Sequence, residues 1–267
     1  MEDKKRLLYS NQYLLFGEKE IIGYGNNNYY IKEIDRQEAN RIIIKNHYSG
    51  TFYNGTYINL GVFKDDELLG IMQYGYAMNP ASGKSVVMGT LKDEYLELNR
   101  MWLDDKLGKN SESKAISYSI KYIKNKHKKI KWVQSFADER CGGFGIVYQA
   151  SNFKYFGEHV STFWVLKDIW YHNSMMTRNP DQTPKAKYLQ ENKHLCRGEK
   201  LRQFRYIYFI KSRELLNCLL KEQKPPKHYL EDSKYEKKGI IKNENFKPYI
   251  YLKKQIIDES ETLKSLF

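Results

Sequence analysis

The chain has 267 residues, 45 Lys and Arg against 32 Asp and Glu, and a net charge of +13. A mean hydropathy of −0.73 with no long uncharged apolar run argues against a membrane span, and 15% aromatic residues argue against a disordered chain. The basic excess favours a polyanionic partner, because Lys and Arg release condensed counterions when they meet phosphates.

Residues 1–20 read as a charged lead-in with no clear period and no signal-peptide core. YYIKEI (29–34) predicts a strand, and Asp35 with Glu38 three residues on predicts the start of a helix that ends near His47. YINLGVFK (57–64) and ELLGIMQYGYAM (67–78) flank Asp65-Asp66 as a hairpin. EYLELNRMWL (94–103) alternates, which sets Tyr95, Glu97, Asn99 and Met101 on one face and Leu96, Leu98, Arg100 and Trp102 on the other. Residues 111–129 predict a helix with Ile116, Ile120 and Ile123 on one stripe. KWVQSFAD (131–138) predicts a buried strand, 145–152 a short helix, and 153–172 one or two aromatic strands. Residues 174–200 are polar and loop-rich with a helix within 185–195, and 201–210 predict a last strand.

This order predicts an α/β (α+β) fold: a mixed, mostly antiparallel sheet flanked by helices. The chain divides into a lead-in with a first strand (1–34), a main domain (35–228) and a basic appendage or tail (229–267). Cys141, Cys196 and Cys218 lie too far apart for a disulfide framework or a zinc knuckle and suit a reducing cytosol.

Several residues suggest chemistry, each with a plainer alternative. Asp138 closes an apolar strand before a Gly-rich turn, where a carboxylate serves as a general base, a metal ligand or simply a turn cap. Tyr148 on the following helix is a phenol donor or a core residue. Arg100 on an apolar strand face needs a phosphate, a carboxylate or an internal acid. Asn110, Ser111 and Ser113 stand at a helix start that binds an anion or is merely capped. His47 and Tyr48 end the first helix; His172 repeats the pattern in WYHNS. Arg202 and Arg205, interleaved with Phe204, Tyr206 and Tyr208, read as a nucleic-acid surface or a solvated strand face.

Taken together, NHYSG (46–50), YGYAMNP (74–80), ELNRMWLDD (97–105), NSESKAIS (110–117), SFADERCGGFGIVYQASNFKYFG (135–157), YHNS (171–174) and LRQFRYIYFI (201–210) resemble the Mom family of phage DNA-modification proteins over about residues 35–228. The resemblance implies a fold related to the Gcn5-type acyltransferases. It implies carbamoylmethylation of the N6 amine of adenine in double-stranded DNA, protecting phage DNA from host restriction in the cytoplasm of the bacterial host. By motif it implies functional roles for His47, Tyr48, Arg100, Ser113, Asp138 and Tyr148. It also implies iron, with His47 and Asp138 as ligands and water or substrate completing the shell. The stretch that binds the pyrophosphate of acetyl-CoA in Gcn5-type enzymes is here DDKLGKNSES, with one glycine and two acids that would repel a pyrophosphate. That departure argues against acetyl-CoA and leaves an acyl- or glycyl-type donor unidentified. The rival readings are an acyl- or aminoacyl-transferase on another substrate and a non-enzymatic nucleic-acid-binding protein.

Overall fold

The computed structural model describes residues 4–13, 17–139, 144–167, 169–179, 181 and 183–226; the predicted appendage 229–267 lies outside them, as does Cys141. The described strands are β1 (Arg6–Tyr13), β2 (Lys19–Gly25), β3 (Tyr29–Glu33), β4 (Thr56–Lys64), β5 (Glu67–Gly75), β6 (Tyr95–Leu103), β7 (Trp132–Asp138), β8 (Lys154–Leu166), β9 (Ile169–His172) and β10 (Arg197–Phe209). The helices are α1 (Arg36–Asn46), α2 (Ser111–Lys126), α3 (Ile146–Ala150), α4 (Ser174–Thr177) and α5 (Pro184–Glu191). The strands form one sheet in the order β1-β2-β3-β4-β5-β6-β7-β10-β8-β9. Every neighbouring pair is antiparallel except β6–β7. The mostly antiparallel sheet with helices upon it agrees with the sequence reading.

Local chemistry sets the main elements. Asp35 caps α1 by accepting hydrogen bonds from the backbone N–H groups of Gln37 and Glu38, at 2.7 and 3.1 Å. Asp65 and Asp66 both take left-handed backbone angles (φ 49° and 64°), which fits the tight turn between β4 and β5. β1 and β2 occupy what read as a formless lead-in. β1 is mostly exposed and polar, so no burial period marks it, and β2 carries glycines at two positions.

Helices cover the two faces unequally. On one face, α2 buries Ala115, Ile116, Ile120 and Ile123 against Leu60, Met72, Leu98, Val133, Phe204 and Tyr206. α3 joins this core through Val147 and Tyr148. On the other face α1 buries Ala39 and Ile43 on Ile71, with Trp102 beside them. Farther along that second face Tyr95 stacks on Trp132 at 4.2 Å between centroids, with Val86, Val87 and Ile207 around them. Each fully buried side chain of this kind contributes about 1.5–3 kcal/mol.

Candidate active site at the parting of two strands

β6 and β7 are the one parallel pair, and they stay together for three rungs: Tyr95–Trp132, Leu96–Val133 and Glu97–Gln134. β6 then remains paired with β5, and β7 with β10. Beyond Glu97–Gln134 the facing edges of β6 and β7 have no ladder pairing, and the strands part into a wedge whose first gap is crossed by the Ser135 hydroxyl, which donates to the Leu98 carbonyl at 3.2 Å.

A bulge shapes the left wall. The β5–β6 register runs Gln73–Arg100 and then Tyr74–Leu98, which leaves Asn99 as the extra residue. Strict alternation would put Arg100 with Leu96 and Leu98. The inserted residue reverses the phase, so Arg100 and Trp102 share the α1 face with Glu97, while Met101 joins Leu98 on the α2 face. The sequence expectation for Arg100 is corrected accordingly. Gly75 makes room for the bulge: a Cβ there would meet the Gly55 carbonyl oxygen at 2.3 Å and Asn99 Oδ1 at 2.7 Å.

The α1 face of the wedge is polar. Glu97 accepts from Gln134 Nε2 and Asn99 Nδ2, both at 3.1 Å. Burial pushes its carboxyl above the usual range, against the lowering effects of those two donors and of Arg100 and Arg205. Arg100 donates from Nε to the Thr51 carbonyl at 3.1 Å, which ties β6 to the turn after α1. In that turn His47 Nδ1 lies 2.9 Å from Ser49 Oγ and 3.2 Å from the Ser49 N–H nitrogen. The same arrangement recurs at His172, whose Nδ1 accepts from the Ser174 N–H at 3.2 Å. The His47 and Tyr48 rings lie 4.2 Å apart. Tyr53, raised by burial and by Glu97, also feels Arg100 and Arg178. Strand alternation places Gln134, Phe136 and the buried Asp138 on this face as well, with Arg205 and Gln203 opposite on β10. Arg205 lies 5.2 Å from the Phe136 ring centroid; no hydrogen bond or ion pair holds its guanidinium among the described residues, and burial lowers its pKa.

The α2 face holds the other predicted residues. Asn110 is the left-handed N-cap of α2 (φ 64°), and no side chain caps the first turn. Ser111 donates its hydroxyl to the Gly108 carbonyl and Ser113 to that of Asn110. Ser151 at the end of α3 reaches the Ser113 carbonyl at 3.4 Å. Tyr148 packs against Tyr206 and Phe153, and its phenol adds to burial in raising the pKa of Tyr74 on β5.

The structure thus joins His47, Tyr48 and Arg100, with Asp138 farther along the same face, and puts Asn110, Ser111, Ser113 and Tyr148 on the opposite one. The predicted nucleic-acid stretch divides. Arg202 grips Glu139 through Nε and Nη2 at 3.1 and 2.8 Å. Tyr206 is fully buried; it donates to the Phe144 carbonyl and accepts from Gln149, so it presents no ring face for a base. Arg205 alone of the three faces the wedge. Sequence reasoning missed Glu97, Arg178 and Phe136. An acid three residues before an arginine on a strand was the available signal for Glu97, but without the bulge the two fall on opposite faces.

Nothing in the arrangement supports the iron expected at His47 and Asp138. No group of three or more His, Cys, Asp and Glu side chains comes together among the described residues, and a mononuclear iron centre of the facial type draws on three protein donors. No helix among the described residues is long and apolar enough to cross a membrane.

Comparison with known proteins supplies the lineage. The family model described as Mom protein family matches residues 28–229. A relative from Escherichia phage Mu, named methylcarbamoylase mom, is 44% identical over 229 residues, covering 85% of this chain and 95% of the relative. Among solved structures, a ribosomal-protein-S5-alanine acetyltransferase from Vibrio fischeri is similar with TM-score 0.42 and 12% identity, over 72% of this chain and 98% of that one. An acetyl transferase from Salmonella typhimurium that modifies the N-terminal serine of ribosomal protein L7/L12 is similar with TM-score 0.42 and 11% identity, over 69% and 96%. On the span of the family match and the identity to the phage relative, the chain belongs to the Mom protein family.

Proposed function

We propose that this chain transfers a carbamoylmethyl-type group to the exocyclic N6 amine of adenine in double-stranded DNA, in the cytoplasm of the bacterial host, and so shields phage DNA from restriction. The family and the name of the phage relative support a methylcarbamoyl transfer. The observation that carries the site is the wedge, which has two chemically unlike faces.

A transfer between two large substrates needs two entrances that meet at one reacting centre. DNA belongs on the α1 face. Arg100 and Arg205 act on Glu97 there, Arg100 and Arg178 act on Tyr53, and guanidinium groups bind phosphate. The target adenine leaves the duplex stack to enter the wedge. The donor belongs on the α2 face, where the uncapped first turn of α2 offers free N–H groups and the positive end of the helix dipole to an anionic portion. Asp104 and Asp105 just before that helix weigh against a pyrophosphate and hence against acetyl-CoA.

In this reading Asp138 holds the incoming base at the open end of β7 by accepting a hydrogen bond. Arg100 fixes the anionic backbone near the target. His47 and Tyr48 shape the entrance beside Arg100, and Tyr148 positions the donor from the far side. No step is assigned to iron.

The test is expression with a plasmid, digestion of the plasmid to nucleosides, and accurate mass measurement. The wild-type chain yields a new adenosine species heavier by a carbamoylmethyl group. Asp138→Asn, which keeps one acceptor oxygen but loses the charge, loses that species about tenfold or more while still binding duplex DNA. Full modification by Asp138→Asn removes Asp138 from the site. No new adenosine species with the wild-type chain moves the activity to another acceptor, such as protein, a small molecule or tRNA.

A further inference from the structure

We propose that Glu97, at the closed end of the wedge, takes the proton from the adenine amine, in place of Asp138, which the sequence favours. This rests on the reading of the chain as an adenine N6 transferase.

Position is the first argument. Glu97 stands on the last rung at which β6 and β7 are joined, where the two strands begin to part. Asp138 lies four residues beyond Gln134 on β7, about 13 Å along the strand at 3.3 Å per residue. One amine cannot touch both carboxylates, and Glu97 is the one at the floor of the wedge.

The second argument is the set of unmet acceptors around it. Gln134 and Asn99 each spend their amide N–H on Glu97, and each leaves its carbonyl oxygen, Oε1 and Oδ1, buried with no partner. A buried acceptor without a donor costs about 1–3 kcal/mol. The two amide groups bond one to each carboxylate oxygen, at 3.1 Å, so Glu97 is held in one orientation before any substrate arrives.

The third argument is chemical. The adenine amine is a weak nucleophile because its lone pair is delocalised into the ring. As N6 bonds to the electrophilic carbon of the carbamoylmethyl donor, the donor's leaving group departs with the electron pair of its broken bond, and one N6 proton passes to the Glu97 carboxylate. Burial raises the affinity of Glu97 for that proton, while Gln134, Asn99, Arg100 and Arg205 keep the charged form within reach. The other titratable groups that share this setting are Tyr53 and Tyr95, both raised chiefly by burial.

The experiment compares the wild-type chain, Glu97→Gln and Gln134→Met. Each is incubated with plasmid DNA and an extract of host cells lacking the gene, which supplies the donor. Modified adenosine is counted by mass, and duplex affinity is measured separately. Glu97→Gln is expected to lose about a hundredfold or more in rate with duplex affinity within about twofold. Its fold should hold, because a raised carboxyl opposes folding at neutral pH: its contribution is favourable below the ordinary carboxylate range and is lost as pH rises through the shifted value. The wild-type rate should fall on the acid side, and Gln134→Met, which removes a donor to the charged form, should move that fall to higher pH. A Glu97→Gln enzyme near the wild-type rate overturns the proposal, as does an acid limb that Gln134→Met leaves in place. If the wild-type chain makes no new adenosine species, the adenine reading itself fails; if it does and Glu97→Gln does equally, only the role of Glu97 fails.

Discussion

The two faces of the sheet obey different rules. On the α2 face the polar atoms largely serve the fold: Tyr29 donates to the Ser111 carbonyl, Tyr74 bonds Ser119, and Tyr206 bonds Phe144 and Gln149. On the α1 face near the wedge no hydrogen bond or ion pair holds the Arg205 guanidinium among the described residues, and the amide oxygens of Gln73, Asn99 and Gln134 are unmet, against the Tyr118 hydroxyl on the α2 face. Folding alone does not retain such groups, since each is costly where it stands. The contrast teaches that unpaired polarity, more than the number of aromatic or basic residues, marks the working surface of this protein.

The contrast can be broken first on the sealed face. Gly145, which precedes α3, has φ +80°, and a Cβ there would sit 2.2 Å from the Tyr206 ring. Gly145→Ala should destabilise the chain by about 2–4 kcal/mol, from strain plus overpacking. A denaturant midpoint that falls with an unchanged slope would register it; an unchanged midpoint would mean that α3 is free to shift away.

The two arginines of β10 sharpen it next. Arg202→Met leaves Glu139 without its bidentate partner and should cost about 1–3 kcal/mol of stability without altering the salt dependence of DNA binding. Arg205→Met should do the reverse. It should keep or raise the melting temperature, weaken duplex binding about three- to tenfold, and lower the slope of log affinity against log salt by about one. Equal effects on both properties from both variants would erase the distinction between the faces.

The smallest effect concerns pH. At the end of α2, His127 lies against Tyr122 and beside Lys126, which pairs with Glu20 and Glu33. Burial and the Lys126 charge lower its pKa, and Glu33 opposes them. A lowered pKa means that the unfolded chain binds the proton first. The stability from neutral His127 is therefore present above about pH 6.5 and is lost as pH falls through the folded value. His127→Gln should flatten that part of the profile, as thermal melts from pH 7.5 to 5 would reveal.

The sequence made the architecture legible where burial leaves a period. α1, α2, the β4–β5 hairpin and β7 all lie near their expected bounds, because an apolar stripe or a cap announces each one. β1 escaped because a mostly exposed edge strand carries no such stripe, and β2 because its two glycines and half-buried residues blur one. Within the site, His47, Tyr48 and Arg100 were singled out through motif resemblance; the His47 and Tyr48 rings lie together, and Arg100 bonds the Thr51 carbonyl in the turn that follows them. Glu97 escaped for a physical reason: its neighbourhood depends on a bulge and on the parting of two strands, and both are properties of pairing that one strand's residues do not encode. Tyr206 looked available because alternation cannot tell which side of β10 meets solvent.

The extra residue at Asn99 also limits how this region can change. Everything on β6 after that point takes its orientation from a count. Removing one codon between Leu98 and Met101 would swing the guanidinium of Arg100 into hydrocarbon and turn Trp102 away from Ile71. In the connection of residues 104–110, by contrast, one residue more or fewer resets no strand. Strand length in β6 is thus under tighter constraint than its chemical composition, and related chains should tolerate exchanges there far better than insertions or deletions.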